Sequence, residues 1–205
     1  MEFRFSLCQV VMFILAIGAL LSKPSFSSEK TVSTKIESGT RESETTLFQL
    51  ESIWFDQDGK TVRFKDFRGK KSIVTMAYTH CQYSCPLTVN KLKSIERKIL
   101  AIGFRDFNIV LVSFDTRRET PSGFQSFMKK MKITDSRWKF LASNDERHVR
   151  ELSIVLNISY QKDANGEFSH TNNIILLNES GNIVSQLEGL EADEKIIIDR
   201  FSGVN

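Results

Sequence analysis

Cys81 and Cys85 stand four residues apart in Tyr78-Thr79-His80-Cys81-Gln82-Tyr83-Ser84-Cys85-Pro86, directly after the apolar run Ser72-Ile73-Val74-Thr75-Met76-Ala77. The run reads as a buried strand that ends in a loop. The loop then presents two thiols where a helix is about to begin. A helix start offers unpaired N–H groups and the positive end of the helix dipole, and both favour thiolate. Thiolate is the redox-active form of cysteine and the form that binds metal. The pair therefore has three open meanings: a structural disulfide, a redox couple, or part of a metal site.

The chain has three histidines. His170 follows the turn Asp163-Ala164-Asn165-Gly166 and stands where the chain is expected to enter a strand over Thr171 to Leu177. An inward-facing strand end beside the cysteine loop would bring its imidazole to an ion held by both sulfurs. A lone histidine can equally be a packing residue, and the spacing does not choose between the two. His80 adjoins Cys81, but neighbours in extended chain point apart, so it reads as a loop hydrogen-bonding residue. His148 lies among Glu146, Arg147 and Arg150 and reads as an exposed helix residue. If Cys81, Cys85 and His170 converge, they make a three-coordinate set of two thiolates and one imidazole. Structural zinc normally closes with four ligands, and no fourth is evident. Soft sulfur with imidazole suits copper, and thiolate favours Cu(I). Three intervening residues leave more loop than Cys-x-x-Cys does. Both sulfurs could face one ion and could still close a disulfide.

The surrounding elements follow from patterning. Trp54 to Val62 reads as a hairpin with Asp58-Gly59 as its turn. Ser72 to Tyr78 is the first buried strand. Leu87, Val89, Leu92, Ile95, Ile99 and Leu100 recur at helical spacing, with Gly103 as the stop. Phe107 to Phe114 is a second strand. Thr120-Pro121 is a helix start, with Thr as N-cap and Pro at the first helical position. Phe124, Phe127, Met128 and Met131 mark its core face. Trp138 to Ala142 is a third strand, and Ser143 or Asn144 caps a helix facing the core with Val149, Leu152, Val155 and Leu156. Thr171 to Leu177 and Asn182 to Leu187 form a hairpin around Glu179-Ser180-Gly181. Ala192 to Phe201 closes as a helix. The order predicts an α/β domain with a mixed sheet, parallel at first and antiparallel at its end. In such sheets sites gather at the C-terminal ends of the parallel strands, where Cys81 and Cys85 lie.

A length of 205 residues accommodates one domain with a real core plus extra sequence. The net charge of +3, with basic residues scattered along the chain, gives no ground for a nucleic-acid partner. The N-terminus departs from the soluble pattern. Val10 to Leu21 is wholly apolar apart from Gly18, and Ser22-Lys23-Pro24 and small residues follow. Residues 1–27 read as a secretory signal or an N-terminal membrane anchor. Glu29 to Thr46 is polar and poor in large apolar residues, so 28–46 reads as a flexible linker reaching roughly 25 Å. The folded domain is expected over 47–205. Export permits a disulfide, and the exported domain retains only Cys81 and Cys85 of the three cysteines, since Cys8 lies in the signal.

Thr79-His80-Cys81-Gln82-Tyr83-Ser84-Cys85-Pro86 resembles the T-H-C-x-x-x-C-P signature of the SCO/SenC family, copper chaperones of cytochrome c oxidase assembly. Val112-Ser113-Phe114-Asp115-Thr116-Arg117-Arg118-Glu119-Thr120-Pro121 is similar to that family's V-S-x-D-P-x-R-D-T-P. His170, with the apolar strand and Asn178-Glu179-Ser180-Gly181 after it, matches the third element. The resemblance runs from about Leu47 to Leu190. It implies a thioredoxin-like (peroxiredoxin-like) fold, a mixed sheet flanked by helices with an N-terminal β-hairpin. It implies copper, as Cu(I) or Cu(II), held by Cys81, Cys85 and His170, with a copper-receiving subunit of a respiratory oxidase as client. A thiol reductant and a copper donor protein would be further partners. It also implies a periplasmic or cell-envelope location, either free after cleavage of the signal or anchored in the inner membrane. The alternative is a thiol–disulfide oxidoreductase acting on cysteines of an oxidase subunit or another copper protein through Cys81 and Cys85. A domain with a structural disulfide is a third reading. The departures are Ser169 where the family has Asp before the metal histidine, Thr116 for Pro and Glu119 for Asp.

Overall fold

The structure of the protein, a computed structural model, describes residues 46–81 and 84–203. The chain divides into two units, Met1–Thr40 and Arg41–Asn205, and every described residue belongs to the second. The expected signal or anchor over 1–27, and the linker over 28–46 apart from Thr46, lie outside the described residues.

In chain order the elements are β1 (Trp54–Phe55), β2 (Thr61–Val62), β3 (Lys71–Ala77), α1 (Ser84–Ala101), β4 (Phe107–Ser113) and α2 (Pro121–Lys130). There follow β5 (Trp138–Leu141), α3 (Glu146–Val155), β6 (Tyr160–Lys162), β7 (Phe168–His170), β8 (Asn173–Leu177), β9 (Ile183–Glu188) and α4 (Lys195–Ser202). Short 3-10 turns occupy Leu47–Gln49 and Phe64–Phe67. The central sheet runs β5-β4-β3-β8-β9, with β3, β4 and β5 parallel and β8 and β9 antiparallel. Helices flank it, as the sequence order predicts. The middle strands β3, β4 and β8 are buried almost throughout, as continuous apolar runs covered on both faces should be.

Register decides what the sheet can position. Ala77 pairs with Ser113, so β3 and β4 end side by side. Thr75 pairs with Ile174 across the antiparallel neighbour, so β8 begins at that same end. The cysteine loop leaves the end of β3, the Asp115 to Thr120 loop leaves the end of β4, and the chain arrives there from β7 through His170. Three segments far apart in sequence thus share one edge of the sheet.

Local rules account for most element ends. Asp58-Gly59 turns the β1–β2 hairpin, with Gly59 at φ 74° and the Asp56 carboxylate accepting the Asp58 and Lys60 N–H groups. Thr120 caps α2 by accepting the Gly123 N–H at 3.0 Å, with Pro121 at the first helical position. The N-terminal entry is pinned at the β8–β9 turn. Leu47 N–H donates to Gly181 O at 3.0 Å, and Thr46 Oγ1 donates to Ser180 O at 2.6 Å. Gly181 has φ 84° there, and a Cβ on it would stand 2.5 Å from Thr46 Oγ1.

Several expectations are corrected. α1 begins at Ser84, so Cys85 lies in the first helical turn, where Pro86 is tolerated because the first N–H groups have no helical partner. Leu87 is exposed, while Val89, Leu92, Ile95 and Ile99 carry the buried stripe. The cap of α3 is Asp145, whose carboxylate accepts the Arg147 N–H at 2.9 Å; Ser143 acts one step earlier by accepting the Asp145 N–H at 3.2 Å. α4 starts at Lys195 and not at Ala192. His148 is half-buried, its Nδ1 bonded to Ser143 Oγ at 3.0 Å and its ring 6.2 Å from Trp54. The pair β6–β7 is a separate two-stranded sheet that the sequence reading merged into loop and strand. Gln161, Lys162 and Ser169 in it are exposed, and three-residue strands are too short to show alternation.

Candidate metal centre

Tyr78 continues from β3 and is 2% exposed. Its backbone N–H donates to Cys85 Sγ at 3.3 Å, and its carbonyl accepts the Cys81 N–H at 3.4 Å. The strand end therefore holds both cysteines. Cys85 is buried, and Cys81 is half-buried against the core. The N–H donated to Cys85 and its place in the first turn of α1 both direct positive partial charge at that sulfur.

The second loop braces the first. Asp115, its side chain wholly buried, accepts the backbone N–H groups of Arg117 and Arg118 at 3.1 and 3.2 Å and pairs with the Arg118 guanidinium. Burial works to raise the Asp115 pKa, but these bonds outweigh it and hold the carboxyl below its usual range. Arg118 also donates to Glu167 Oε1 at 3.2 Å and to Gly166 O at 2.8 Å, in the turn between β6 and β7. Glu119 accepts from Thr79 and Ser113, which ties the cysteine loop to the end of β4.

His170 ends β7, paired with Tyr160. Its ring packs 4.8 Å from Phe114, which also meets Tyr160, Phe168 and Tyr78. His170 Nδ1 lies 3.1 Å from Thr171 O. A carbonyl can only accept, so Nδ1 carries the hydrogen and Nε2 presents a lone pair. Nε2 is buried and has no hydrogen-bond partner among the described residues. Burial lowers the His170 pKa against the opposing pull of the Thr171 carbonyl, which favours the neutral ring. The tautomer, the neutral ring and the lone pair left without a donor are those a soft metal ion needs from an imidazole. Ser169 is exposed on the opposite side of the strand and bonds to Gln161 O at 3.5 Å. The Thr171 carbonyl, not a neighbouring carboxylate, orients the ring.

Topology thus brings the segments of Cys81, Cys85 and His170 to one sheet end. Among the described residues, no three His, Cys, Asp or Glu side chains are already clustered as a metal site. His80 is exposed. The residues that connect the site, Tyr78, Arg118, Glu119 and Glu167, escaped the sequence reading as site residues. Arg118 and Glu119 sat inside a quoted motif. Tyr78 and Glu167 are separated by 89 positions, and no local pattern links them.

The SCO1/SenC family model matches residues 40–202. The chain belongs to the SCO1/SenC family. Among its relatives is the SCO2-like protein of Rickettsia prowazekii (strain Madrid E), 23% identical over 153 residues that cover 71% of each chain. Among solved structures, Bradyrhizobium japonicum ScoI with copper bound is 22% identical, with a TM-score of 0.61, over 75% of this chain and 96% of that one. BsSco is described as a member of the Sco family of cytochrome c oxidase assembly proteins, with a disulfide switch. It is 18% identical, with a TM-score of 0.68, over 78% of this chain and 94% of that one. This SCO1/SenC chain shares their thioredoxin-like fold. Among its described residues no helix is long and apolar enough to cross a membrane.

Proposed function

We propose that this protein is a copper metallochaperone that receives a copper ion and delivers it to the copper site of a respiratory cytochrome c oxidase. Cys81, Cys85 and His170 are its three ligands in this reading. The observation that carries it is the buried His170 Nε2, which has no partner among the described residues while Nδ1 is committed to Thr171 O. A buried acceptor left without a partner costs about 1–3 kcal/mol unless something binds it. Membership of the SCO1/SenC family and a relative with copper bound support the choice of ion. Two thiolates and one imidazole suit copper, and Cu(I) best. Closing the set takes a local movement, since among the described residues no three such side chains are already clustered. Exchange with an external disulfide, which takes up two electrons and two protons and leaves as two thiols, would oxidise the pair to a Cys81–Cys85 disulfide and abolish copper capture.

The second reading is a thiol–disulfide oxidoreductase, favoured by Cys85 in the first turn of α1. It needs only the two thiols, whereas the chaperone needs His170 as well. Copper titration of the reduced chain separates them. His170→Ala should weaken Cu(I) binding by at least tenfold while the disulfide still forms, and Cys81→Ser or Cys85→Ser should abolish both. Unchanged copper affinity in His170→Ala would sink the chaperone reading. The proposed setting is the cell envelope, reached through the signal or anchor at 1–27. Intact mass of protein from native envelopes tests that, because a cleaved signal removes those residues.

A further inference from the structure

Tyr78 is not one of the three candidate ligands, yet it touches the segments that carry all of them. Its phenol donates to Glu167 Oε2 at 2.7 Å and accepts the Phe168 N–H at 3.3 Å, both on the hairpin that ends in His170. Its backbone N–H reaches Cys85 Sγ at 3.3 Å. Its ring packs 5.1 Å from Phe168 and 5.9 Å from Phe114. Burial, with contributions from Glu167 and from the nearby Cys81 thiol, holds its pKa well above the ordinary tyrosine value, so the phenol keeps the hydrogen it donates.

That contact matters because of how the hairpin is attached. The pair β6–β7 is a sheet of its own, with no ladder to the five-stranded sheet. A two-stranded ribbon is at best marginal by itself. Beyond its chain links to α3 and β8, it is held against the cysteine loop by side chains, namely the Tyr78 phenol, the Arg118 guanidinium on Gly166 O and Glu167, and the Phe114 cluster.

We propose that Tyr78 is a positioning residue for metal capture: its hydroxyl holds the His170 strand against the cysteine loop, so that the imidazole meets the sulfurs in a preset place. The role rests on His170 being a ligand. Tyr78 binds no ion itself. Without the hydroxyl, the hairpin must be ordered by the ion, at a cost in affinity.

The test is a double-mutant cycle between Tyr78→Phe and His170→Ala, read as Cu(I) affinity of the reduced chain against a competing chelator. Tyr78→Phe keeps the ring and the backbone N–H and removes only the hydroxyl. It should weaken binding by roughly 10–100-fold, the usual effect of losing a residue that orients a ligand. In the His170→Ala background it should cost nothing further. Glu167→Ala removes the acceptor of that bond from a half-exposed side chain, together with the Arg118 contact on Oε1, and should weaken binding at least as much, which keeps the test open if Tyr78→Phe unfolds. Equal losses from Tyr78→Phe with and without His170, or none in either, would overturn the positioning role and leave the ligand reading standing. If His170→Ala alone leaves affinity unchanged, the ligand reading falls and the role of Tyr78 with it.

Discussion

Glu119 takes both polar hydrogens of Thr79, the backbone N–H on Oε1 at 2.7 Å and the hydroxyl on Oε2 at 2.6 Å. Oε1 also accepts from Ser113 Oγ at 2.9 Å. Ser113 ends β4, and Thr79 stands two residues before Cys81. One buried carboxylate therefore links the parallel strand end to the loop that carries the thiols. The resembling family pattern has Asp at this position. A chain one methylene shorter would reach Thr79 only if the loop or the start of α2 moved.

Glu119→Ala should accordingly destabilise the protein by about 2–4 kcal/mol, because it strands the buried Ser113 hydroxyl, at about 1–3 kcal/mol when left unpaired, and takes the partner from two half-buried donors of Thr79. Glu119→Asp should cost about 1 kcal/mol. Urea denaturation of the reduced chain measures both. Copper affinity should fall in the same order, since the loop that holds Cys81 loses its tie. An Ala variant as stable as the wild type would show that the clamp contributes nothing.

The order of elements along the chain was legible because the central strands are long apolar runs and the helices have caps with clear chemistry, as at Thr120-Pro121. Cys81 and Cys85 were legible because their spacing is local. The β6–β7 hairpin was not, because three-residue strands with exposed Gln161, Lys162 and Ser169 carry no periodic signal. The cap of α3 was misplaced by one or two residues because Ser143, Asn144 and Asp145 are all competent caps and only the backbone path selects Asp145. The consequence of Ser169 was also hidden. Whether a carboxylate is missed there depends on which face of β7 it occupies, and Ser169 faces away from the ring nitrogen that Thr171 O already holds.

Phe114 supports the imidazole by packing alone. It is 2% exposed, stacks on Tyr160 at 5.4 Å and lies 4.8 Å from His170. Phe114→Ala should cost about 3–5 kcal/mol, as large-to-small changes at buried aromatics do. Phe114→Leu should cost about 1–2 kcal/mol and shift the imidazole without unfolding the hairpin. Thermal melts give the stability, and NMR shifts of the His170 ring report its environment. An unmoved His170 signal in Phe114→Leu would refute the contact.

Acid should act through Asp115 in a defined direction. Its pKa is lower in the fold than in the unfolded chain, because the Arg118 and Arg117 bonds win against burial. The stability this carboxylate contributes is complete above the unfolded value of about 3.9 and is lost as pH falls through the lower, folded value. In Arg118→Ala burial is opposed by fewer bonds, so the folded value rises towards the unfolded one; the variant should be less stable at pH 7 and lose less stability on acidification. Urea stability measured from pH 7 to pH 3 checks this. Identical pH profiles for the two proteins would contradict it.

Cys81 and Cys85 should differ sharply in reactivity. Thiolate chemistry needs both charge and access, and the two sulfurs divide these. Cys85 sits in the first turn of α1 and accepts the Tyr78 N–H, but it is 1% exposed. Cys81 is half-buried and so can be approached from solvent. Iodoacetamide applied to the reduced chain for short times should label Cys81 at least several-fold faster than Cys85, with peptide mapping by mass spectrometry to separate them from Cys8. Bound Cu(I) should protect both, because the ion takes the sulfur lone pairs that would otherwise attack iodoacetamide and displace iodide. Faster labelling of Cys85 would reverse this order and make the helix-start sulfur the point of entry.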